Sequence, residues 1–348
     1  MKICFVLNDV HEENYNSSVV LMHKAHQRGH TVLMMDVGDF NFTHNEPLSI
    51  YVLQVPTSIK TKSAKKFIED IKKAKLKKKK MSSKNVDVLF IRNNPTEEVD
   101  RKWAEHSGIA FGKMMQQEGV LVLNDAYALS HAYIDKLYFE ELPSSIKPDS
   151  IITRKKEDIL EFYEKQNKKM VLKPLEGSGG RDVYLIDENE KNLNQIIETL
   201  LNQGYVIGQE FLPDVSEGDV RILLMNGRLI ERNGKHSMIR RKMGEGEFRS
   251  NFNQGATAQA VKLTKDFEKI IEIVAPKLIQ DGLFFVGLDV VKDKLIEINV
   301  LSPGGLDYFS EIDYPDFGDE IIDAIERKLS YKEMYGQHFS NRILATMD

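Results

Sequence analysis

Three groups of residues in this chain have the types and spacing that chemistry needs. The first is Lys173-Pro174-Leu175-Glu176-Gly177-Ser178-Gly179-Gly180. Glycines in such a turn let backbone N–H groups approach phosphate oxygens, and a lysine on the adjoining strand supplies a point charge. By itself a glycine-rich turn is also an ordinary structural device. The second group is Asp289, Glu297 and Asn299. Glu297 and Asn299 are two apart and point to one face of a strand, with Asp289 opposite them across a turn. Two carboxylates and an amide carbonyl suit a hard octahedral cation such as Mg²⁺, which takes its remaining ligands from water and phosphate. Apolar neighbours (Leu288, Val290, Ile296, Ile298, Val300) put these oxygens where they need a partner. The third group is Arg221, which begins an apolar strand, and Arg249 with Ser250-Asn251 in a loop holding Gly244, Gly246 and Gly255. Arginines so placed suit phosphate or carboxylate, and a glycine-rich loop can close as a lid.

Other chemistries are excluded. There is no G-x-x-x-x-G-K-[ST], G-x-S-x-G or H-E-x-x-H, and no G-x-G-x-x-G after the first strand. The nine histidines lack ligand spacing and one cysteine cannot make a zinc site. Cys4 lies in an apolar run and reads as a small buried side chain. No apolar stretch reaches the roughly 18 residues of a membrane span. The start, MKICFVLNDVHEE, has too short an apolar run for a secretory signal, so a cytoplasmic protein is expected. The 348 residues, 41% hydrophobic and 29% charged, suffice for two domains or three small ones. The net charge of −5 hides a lysine-rich segment, residues 60–84, with twelve lysines against Glu69 and Asp70. It has no arginine and one aromatic, and the remainder is acidic. It therefore reads as a solvated helical insertion and not as a nucleic-acid or membrane site.

Stepping along the chain, KICFVL is a buried strand, Ser17–Arg28 a helix capped by Asn16 or Ser17 and ended by Gly29, and TVLMMDV the next strand. VDVLFIR and GVLVLND add strands around a helix near Trp103. A helix over Ala128–Leu142, a strand DSIITR, a helix Lys156–Gln166, the two strands flanking the glycine turn and a helix through Leu193–Asn202 form a second module, followed by YVIGQEFLP. Beyond it come a hairpin through Asn226-Gly227, a helix Lys265–Gln280, a hairpin through Lys292–Lys294 and a last helix over Asp319–Lys328. The expected units are 1–125, 126–205 and 206–348.

The ordered set LKPLEGSGG, QEFLP, DVRILL, RSN, GLDVV and LIEINVLSPGG resembles the bacterial glutathione synthetases of the ATP-grasp superfamily, from about Asn124 to Lys328, and Asn16-Ser17-Ser18 and MDVGD are similar as well. The resemblance implies an α/β and α+β protein: an N-terminal α/β (pre-ATP-grasp) domain, a small lid domain and a C-terminal antiparallel-sheet domain, with ATP gripped between two antiparallel sheets. It implies that Lys136 and Lys173 hold ATP phosphates, that Gly177, Ser178, Gly179 and Gly180 cover them, that Glu210, Phe211 and Leu212 hold adenine and that Glu217 meets the ribose. Asp289, Glu297 and Asn299 would bind two Mg²⁺ ions, with Mn²⁺ an alternative. Arg221, Arg249 and Asn251 would sit at an acyl phosphate, with Ser17 and Ser302 at the peptide substrate. The implied reaction joins γ-glutamylcysteine to glycine with release of ADP and phosphate. The partners are then small molecules, and the chain a homo-oligomer, dimer or tetramer.

The chain departs from the family pattern at Ser302-Pro303-Gly304-Gly305-Leu306-Asp307-Tyr308, in the basic stretch KHSMIRRKMGEGE, and at 60–84. These departures leave the carboxylate and amine substrates open. A related ATP-grasp amide ligase and a catalytically silent nucleotide-binding homologue are the alternatives. Residues about 235–250 are expected to form a mobile lid. In it Lys235, Arg240, Arg241 and Lys242, with Arg249, would face the donor, Arg240 and Arg241 binding it. Their surplus charge points to a donor with more than one carboxylate.

Overall fold

The computed structural model describes residues 1–98, 100–177, 180–242 and 256–348. Ser178, Gly179, Arg249 and Asn251, and the half of the expected lid from 243 to 250, lie outside the described residues.

The N-terminal layer contains β1 (Lys2–Leu7), α1 (Ser17–Gln27), β2 (Thr31–Asp36), β3 (Phe40–Asn41), β4 (Ser49–Gln54), α2 (Ala64–Lys73), β5 (Lys79–Ser82), β6 (Val88–Ile91), α3 (Ser107–Gln117) and β7 (Leu121–Leu123). The sheet runs β3-β4-β2-β1-β6-β7, with β5 also on β4. β1 pairs in parallel with β2 and β6, and β6 with β7. Parallel strands covered on both faces read as unbroken apolar runs, and VLFI in β6 is wholly buried. The Asn16 side chain accepts from Val19 N–H at 3.1 Å and starts α1. Gly29, at φ +81°, ends it. Cys4 is fully buried.

The lysine-rich segment is partly helical, as expected, through α2, but it packs into the first layer instead of standing free in solvent. Its Phe67, Ile68 and Ile71 are buried, the Phe67 ring lies 5.1 Å from His23 and 5.3 Å from His26, and β5 is laddered to β4. Its lysines face water, apart from Lys78, which pairs with Asp36 and Asp39. The helix expected near Trp103 begins at Ser107, after a run of turns, so Trp103 itself lies outside it.

The expected helix over 128–142 is two helices, α4 (Ala126–His131) and α5 (Asp135–Glu140). The break between them turns Lys136 toward the carbonyls of Pro174 and Gly177, at 2.8 and 3.1 Å. A second layer follows: β8 (Ser150–Thr153), α6 (Lys156–Lys165), β9 (Met170–Pro174), β10 (Tyr184–Ile186), α7 (Leu193–Gln203) and β11 (Val206–Glu210). All pairings in the order β10-β9-β11-β8 are antiparallel. Because β11 pairs with both β8 and β9, this unit extends through Glu210, past the expected limit at 205. It has its own core, in which Ile159, Met170, Leu172, Ile186, Ile197, Leu200 and Val206 are fully buried.

The third layer holds β12 (Asp219–Met225), β13 (Arg228–Leu229), β14 (Glu231–Arg232), β15 (Lys235–His236), β16 (Met238–Lys242), β17 (Thr257–Ala260), α8 (Lys265–Gln280), β18 (Phe285–Val291) and β19 (Lys294–Asn299), then α9 (Gly318–Tyr335) and α10 (Asn341–Thr346). Its sheet runs β17-β16-β12-β18-β19, antiparallel throughout, with β13 on β12. Asn226 and Gly227, at φ +52° and +71°, make the tight turn expected there. Thr264 caps α8, and its buried Phe267, Ile270, Val274 and Leu278 recur at helical spacing. The first part of the expected lid is strand: β16 pairs with β12, with Met238 and Ile239 buried. The first and third layers share their apolar clusters. Asn124 ties them, donating to the carbonyls of Phe285 (3.0 Å) and Val300 (2.6 Å) and accepting from Phe285 N–H (2.8 Å).

Candidate active site

The glycine turn joins β9 to β10, and Lys173 lies near the end of β9. Opposite Lys173 in the ladder is Ile207 of β11, and its Nζ donates to Gln209 Oε1 at 2.7 Å. A pocket lined by Asp135, Lys136, Phe139, Glu140, Lys173, Ile207, Gln209, Ile296, Glu297 and Ile298 draws on α5, β9, β11 and β19. It brings two lysines and three carboxylates together from distant parts of the chain. Burial, and then the neighbouring Lys136, pull the Lys173 ammonium down to about 8, against Glu297 and Asp135. Burial also lowers Lys136, while Glu297 and Asp135 oppose it. Asp135 is pushed up to about 7, first by burial and then by Glu297. Two lysines with depressed basicity face each other here, and the added negative charge of a bound phosphate would favour their charged forms.

Asp289 and Glu297 are direct cross-strand partners in β18 and β19, and Asn299 lies two further on the same face. Asn299 Nδ2 donates to Asp289 Oδ2 at 3.4 Å. Asn299 and Asp289 thus meet, and Glu297 stands opposite Asp289 in the ladder. Among the described residues there is no cluster of three His, Cys, Asp or Glu side chains of metal-binding geometry. Two carboxylates and an amide carbonyl are oxygen donors of the kind Mg²⁺ takes, its other positions going to water and phosphate.

Asp289 is 1% exposed and lies between two arginines. Arg221 donates through Nε and, at 2.9 Å, through Nη2; Arg241 Nη2 reaches Oδ2 at 2.9 Å. Burial alone would raise this carboxyl, but Arg221 and then Arg241 hold it at about 2. Arg241 also grips Asp219, through Nε at 2.8 Å and through Nη2. Burial raises Asp219 to about 6 in spite of Arg241. The result is a buried quartet of two arginines and two aspartates. Arg241 is thus not a surplus lid cation facing the donor: its charge is met by Asp219 and Asp289. Arg240 donates to the carbonyl of Glu217 at 3.2 Å, with the Glu217 carboxylate 3.9 Å away.

Glu210, Phe211, Leu212 and Glu217 lie on the crossing from the second layer to the third. Glu210 accepts from Asp149 N–H at 3.0 Å, Lys169 Nζ sits 4.2 Å over the Phe211 ring, and Glu217 is exposed. Gly218, at φ +85°, ends the crossing; a Cβ there would lie 2.2 Å from the Arg241 carbonyl oxygen. Gly177, at φ +130°, supplies one of the carbonyls on Lys136, and Gly180 has φ +72°.

Ser17 and Ser302 sit apart from the phosphate pocket, where the first layer meets the 302–307 loop. Ser17 is 1% exposed; its hydroxyl donates to Asp307 Oδ1 at 2.9 Å and accepts from Gly305 and Leu306 N–H, each at 2.9 Å. Ser302 donates to the Arg92 carbonyl at 2.8 Å. Both hydroxyls are committed to holding this junction. Sequence reasoning missed Asp135, Gln209, Asp219 and Arg92. Asp219 had a signal, since it stands two before Arg221 and so shares its strand face. Arg92 had one too, as a charge ending an otherwise apolar buried strand.

Three layers, with an antiparallel four-stranded unit over an antiparallel six-stranded sheet and a lysine-carboxylate pocket between them, define an ATP-grasp ligase. Solved structures share this architecture: the D-cycloserine synthetase DcsG (TM-score 0.60, 13% identity, 94% of this chain and 100% of that one) and the ATP-grasp ligase PsnB complexed with a minimal precursor, Mg and ADP (TM-score 0.56, 16% identity, 94% and 98%). The prokaryotic glutathione synthetase N-terminal domain family matches residues 1–129, and the ATP-grasp domain of the same family matches 135–313. Glutathione synthetases of Vibrio parahaemolyticus (30% identity, 94% of this chain and 99% of the relative), Vibrio cholerae (31%, 92% and 94%) and Escherichia coli K12 (28%, 90% and 93%) are similar over nearly their whole length. The chain belongs to the prokaryotic glutathione synthetase family and is an ATP-dependent ligase. No helix among the described residues is long and apolar enough to cross a membrane.

Proposed function

We propose that this ligase joins the cysteinyl carboxylate of γ-glutamylcysteine to the amine of glycine, through an acyl phosphate. A carboxylate oxygen of the donor attacks the γ-phosphorus of ATP, and the bond to ADP breaks. The glycine nitrogen then attacks the acyl carbon, phosphate leaves, and the amine proton passes to phosphate or solvent. No protein nucleophile is needed. Lys136 and Lys173 hold the ATP phosphates beneath the 177–180 turn, the 210–212 segment takes adenine, and Glu217 the ribose. Arg221 and Arg249 neutralise the charge that develops on the transferred phosphoryl group, and Asn251 donates a hydrogen bond to it. Asp289, Glu297 and Asn299 would hold Mg²⁺, which when bound would neutralise phosphate charge. Asp289 is also the counter-ion of Arg221 and Arg241.

The observation that carries this reading is the pocket that sets Lys136 and Lys173 against Glu297 within a chain of this family. The test is mass spectrometry of products, with ADP release, over a panel of carboxylates and amines. Glutathione as the preferred product is the expected result. Faster ADP release with a different pair would replace the substrates, and no donor-dependent ADP release with any pair would remove the reading.

A further inference from the structure

The lysine-rich segment takes no part in the phosphate pocket, yet it borders a bare edge of the first sheet. β4 pairs with β2, β3 and β5. Tyr51 N–H donates to the Asp39 carbonyl at 2.9 Å and Val55 N–H to the Val32 carbonyl at 3.0 Å, so β2 and β3 share one side of β4. From the other side Ser83 N–H donates to the Leu48 carbonyl at 2.8 Å, which makes β5 (Lys79-Lys80-Met81-Ser82) the outermost strand. Backbone groups alternate sides along an antiparallel strand. Lys80, opposite Tyr51, and Ser82 therefore direct their N–H and C=O groups outward, where no group among the described residues meets them. The opposite edge of the sheet is closed. There Asn341 accepts from Val122 N–H and donates to the Val122 carbonyl, each at 2.8 Å, as a further strand would on β7.

The charge along the bare edge is of one sign. Lys75, Lys77, Lys79 and Lys80 are exposed and, among the described residues, none of them forms an ion pair; Asp36 and Asp39 are held by Lys78, and Asp70 by Lys66. Beside β5 opens a groove of about 300 Å³ lined by Gln54, Pro56, Leu76, Lys77 and Lys79, with apolar wall at Pro56 and Leu76. Like charges set opposite each other are destabilising, and lysines on an edge strand discourage pairing with a second copy. A phosphate-rich surface would satisfy the lysines, but it does not repeat donors and acceptors at the spacing of a strand. An extended peptide does, and acidic side chains on it meet the lysines.

We propose that the outer edge of β5 docks an acidic, extended segment of a partner protein. The segment joins the first sheet as a further strand, bonded to the backbone of Lys80 and Ser82. Its carboxylates lie against Lys77, Lys79 and Lys80, and an apolar side chain enters the groove at Pro56 and Leu76. The same lysines that keep two copies apart select the sign of the partner's charge. The surface is separate from the residues of the ligase chemistry, so docking and turnover can be measured independently.

The probe is a blocked peptide of alternating glutamate and valine. It is compared with its glutamine counterpart, with the glutamate peptide N-methylated at every amide, with oligothymidylate and with phosphatidylserine vesicles. Binding to the full chain is followed by titration calorimetry at two salt concentrations and by hydrogen exchange of the Lys80 and Ser82 amides. The glutamate peptide should bind at least tenfold more tightly than the other two peptides, weaken with salt, and slow exchange of both amides at least tenfold. Lys79→Gln/Lys80→Gln should lose at least tenfold in that affinity. So should Lys80→Pro, which deletes an N–H that β4 does not use. Each should keep the parent's ligase turnover and melting temperature. Should Lys80→Pro disturb the fold, the N-methylated peptide still isolates the strand hydrogen bonds. Equal binding of the N-methylated peptide, or unchanged exchange of the two amides, overturns the strand site. Preference for oligothymidylate or vesicles makes the segment a general polyanion surface and overturns it as well. Protection of the same amides on concentrating the chain alone, with dimers in sedimentation, gives the edge to a second copy and overturns it. Binding of no probe also overturns it, and leaves the lysines as charges that keep a bare edge from pairing.

Discussion

Lys173 and Asp289 show how one side chain's surroundings set what it does. Lys173 is held near 8 by burial and by Lys136. A bound phosphate opposes the second effect, so its pKa rises on binding and nucleotide binding takes up a proton as pH rises above about 8. ATP affinity of the parent should therefore fall as pH rises above that value. Titration calorimetry in buffers of different ionisation enthalpy measures the uptake. Lys173→Met should lose at least tenfold in affinity, keep its fold and show no such uptake; an unchanged affinity would place the phosphates elsewhere. Asp289 differs because it is a structural counter-ion as well as a candidate ligand. Asp289→Asn removes the charge between two buried arginines and should cost about 3 kcal/mol of stability. Glu297→Gln should be nearly inactive with ordinary stability. Denaturant melts alongside turnover separate the two, and a stable Asp289→Asn would contradict the buried quartet.

At the scale of elements, the crossing from β11 to β12 carries both the adenine candidates and the passage between two sheets. Gly218 is fixed there by the backbone itself: φ of +85° disfavours any side chain, and a Cβ would strike the Arg241 carbonyl. Gly218→Ala should destabilise the protein by about 1–3 kcal/mol and weaken ATP binding, since β16 and the crossing would have to part. The measurement is a melt paired with a nucleotide titration, and wild-type values in both would mean the backbone relaxes freely. The unit around β8 to β11 has a core of its own. Local opening follows such cooperative units. Its amides should exchange with solvent before those of β12 and β18, and ATP should slow them selectively; exchange at one common rate with and without ATP would show that the layers open together.

For the whole molecule, the join between the first and third layers decides cooperativity. Asn124 satisfies Phe285 N–H and two buried carbonyls at once. Asn124→Ala leaves three polar groups unpaired, and at about 1–3 kcal/mol each, relieved in part by water, a loss of several kcal/mol is expected. Because the two layers share apolar clusters, they should still unfold in one transition by fluorescence and circular dichroism. Two separate transitions in the parent would mean that the shared core is not cooperative.

The order of the motifs, the hairpins at Asn226-Gly227 and Lys292–Lys294, the helix over Lys265–Gln280 and the buried parallel strands were legible in the sequence. Each depends on local spacing, capping or turn chemistry acting over a few residues. The placing of Asp289, Glu297 and Asn299 on adjoining strands was legible for the same reason, since one hairpin contains all three. Less local matters were not. Whether Lys136 meets Lys173 depends on a break between α4 and α5 and on the packing of α5 against another sheet. The charge state of Arg241 depends on Asp219, which is its register partner only once β12 and β16 pair. The lysine-rich segment looked like an insertion because its charges outnumber the three apolar residues that bury it. Arg92 could be read as a charge at a strand end, but not as a guanidinium with an idle N–H, because that follows from which groups the folded chain places around it. Local sequence thus determined the elements and the chemistry they carry. Tertiary structure decided which charges are already paired and which are left for a ligand, because pairing between distant residues is a property of packing and not of spacing.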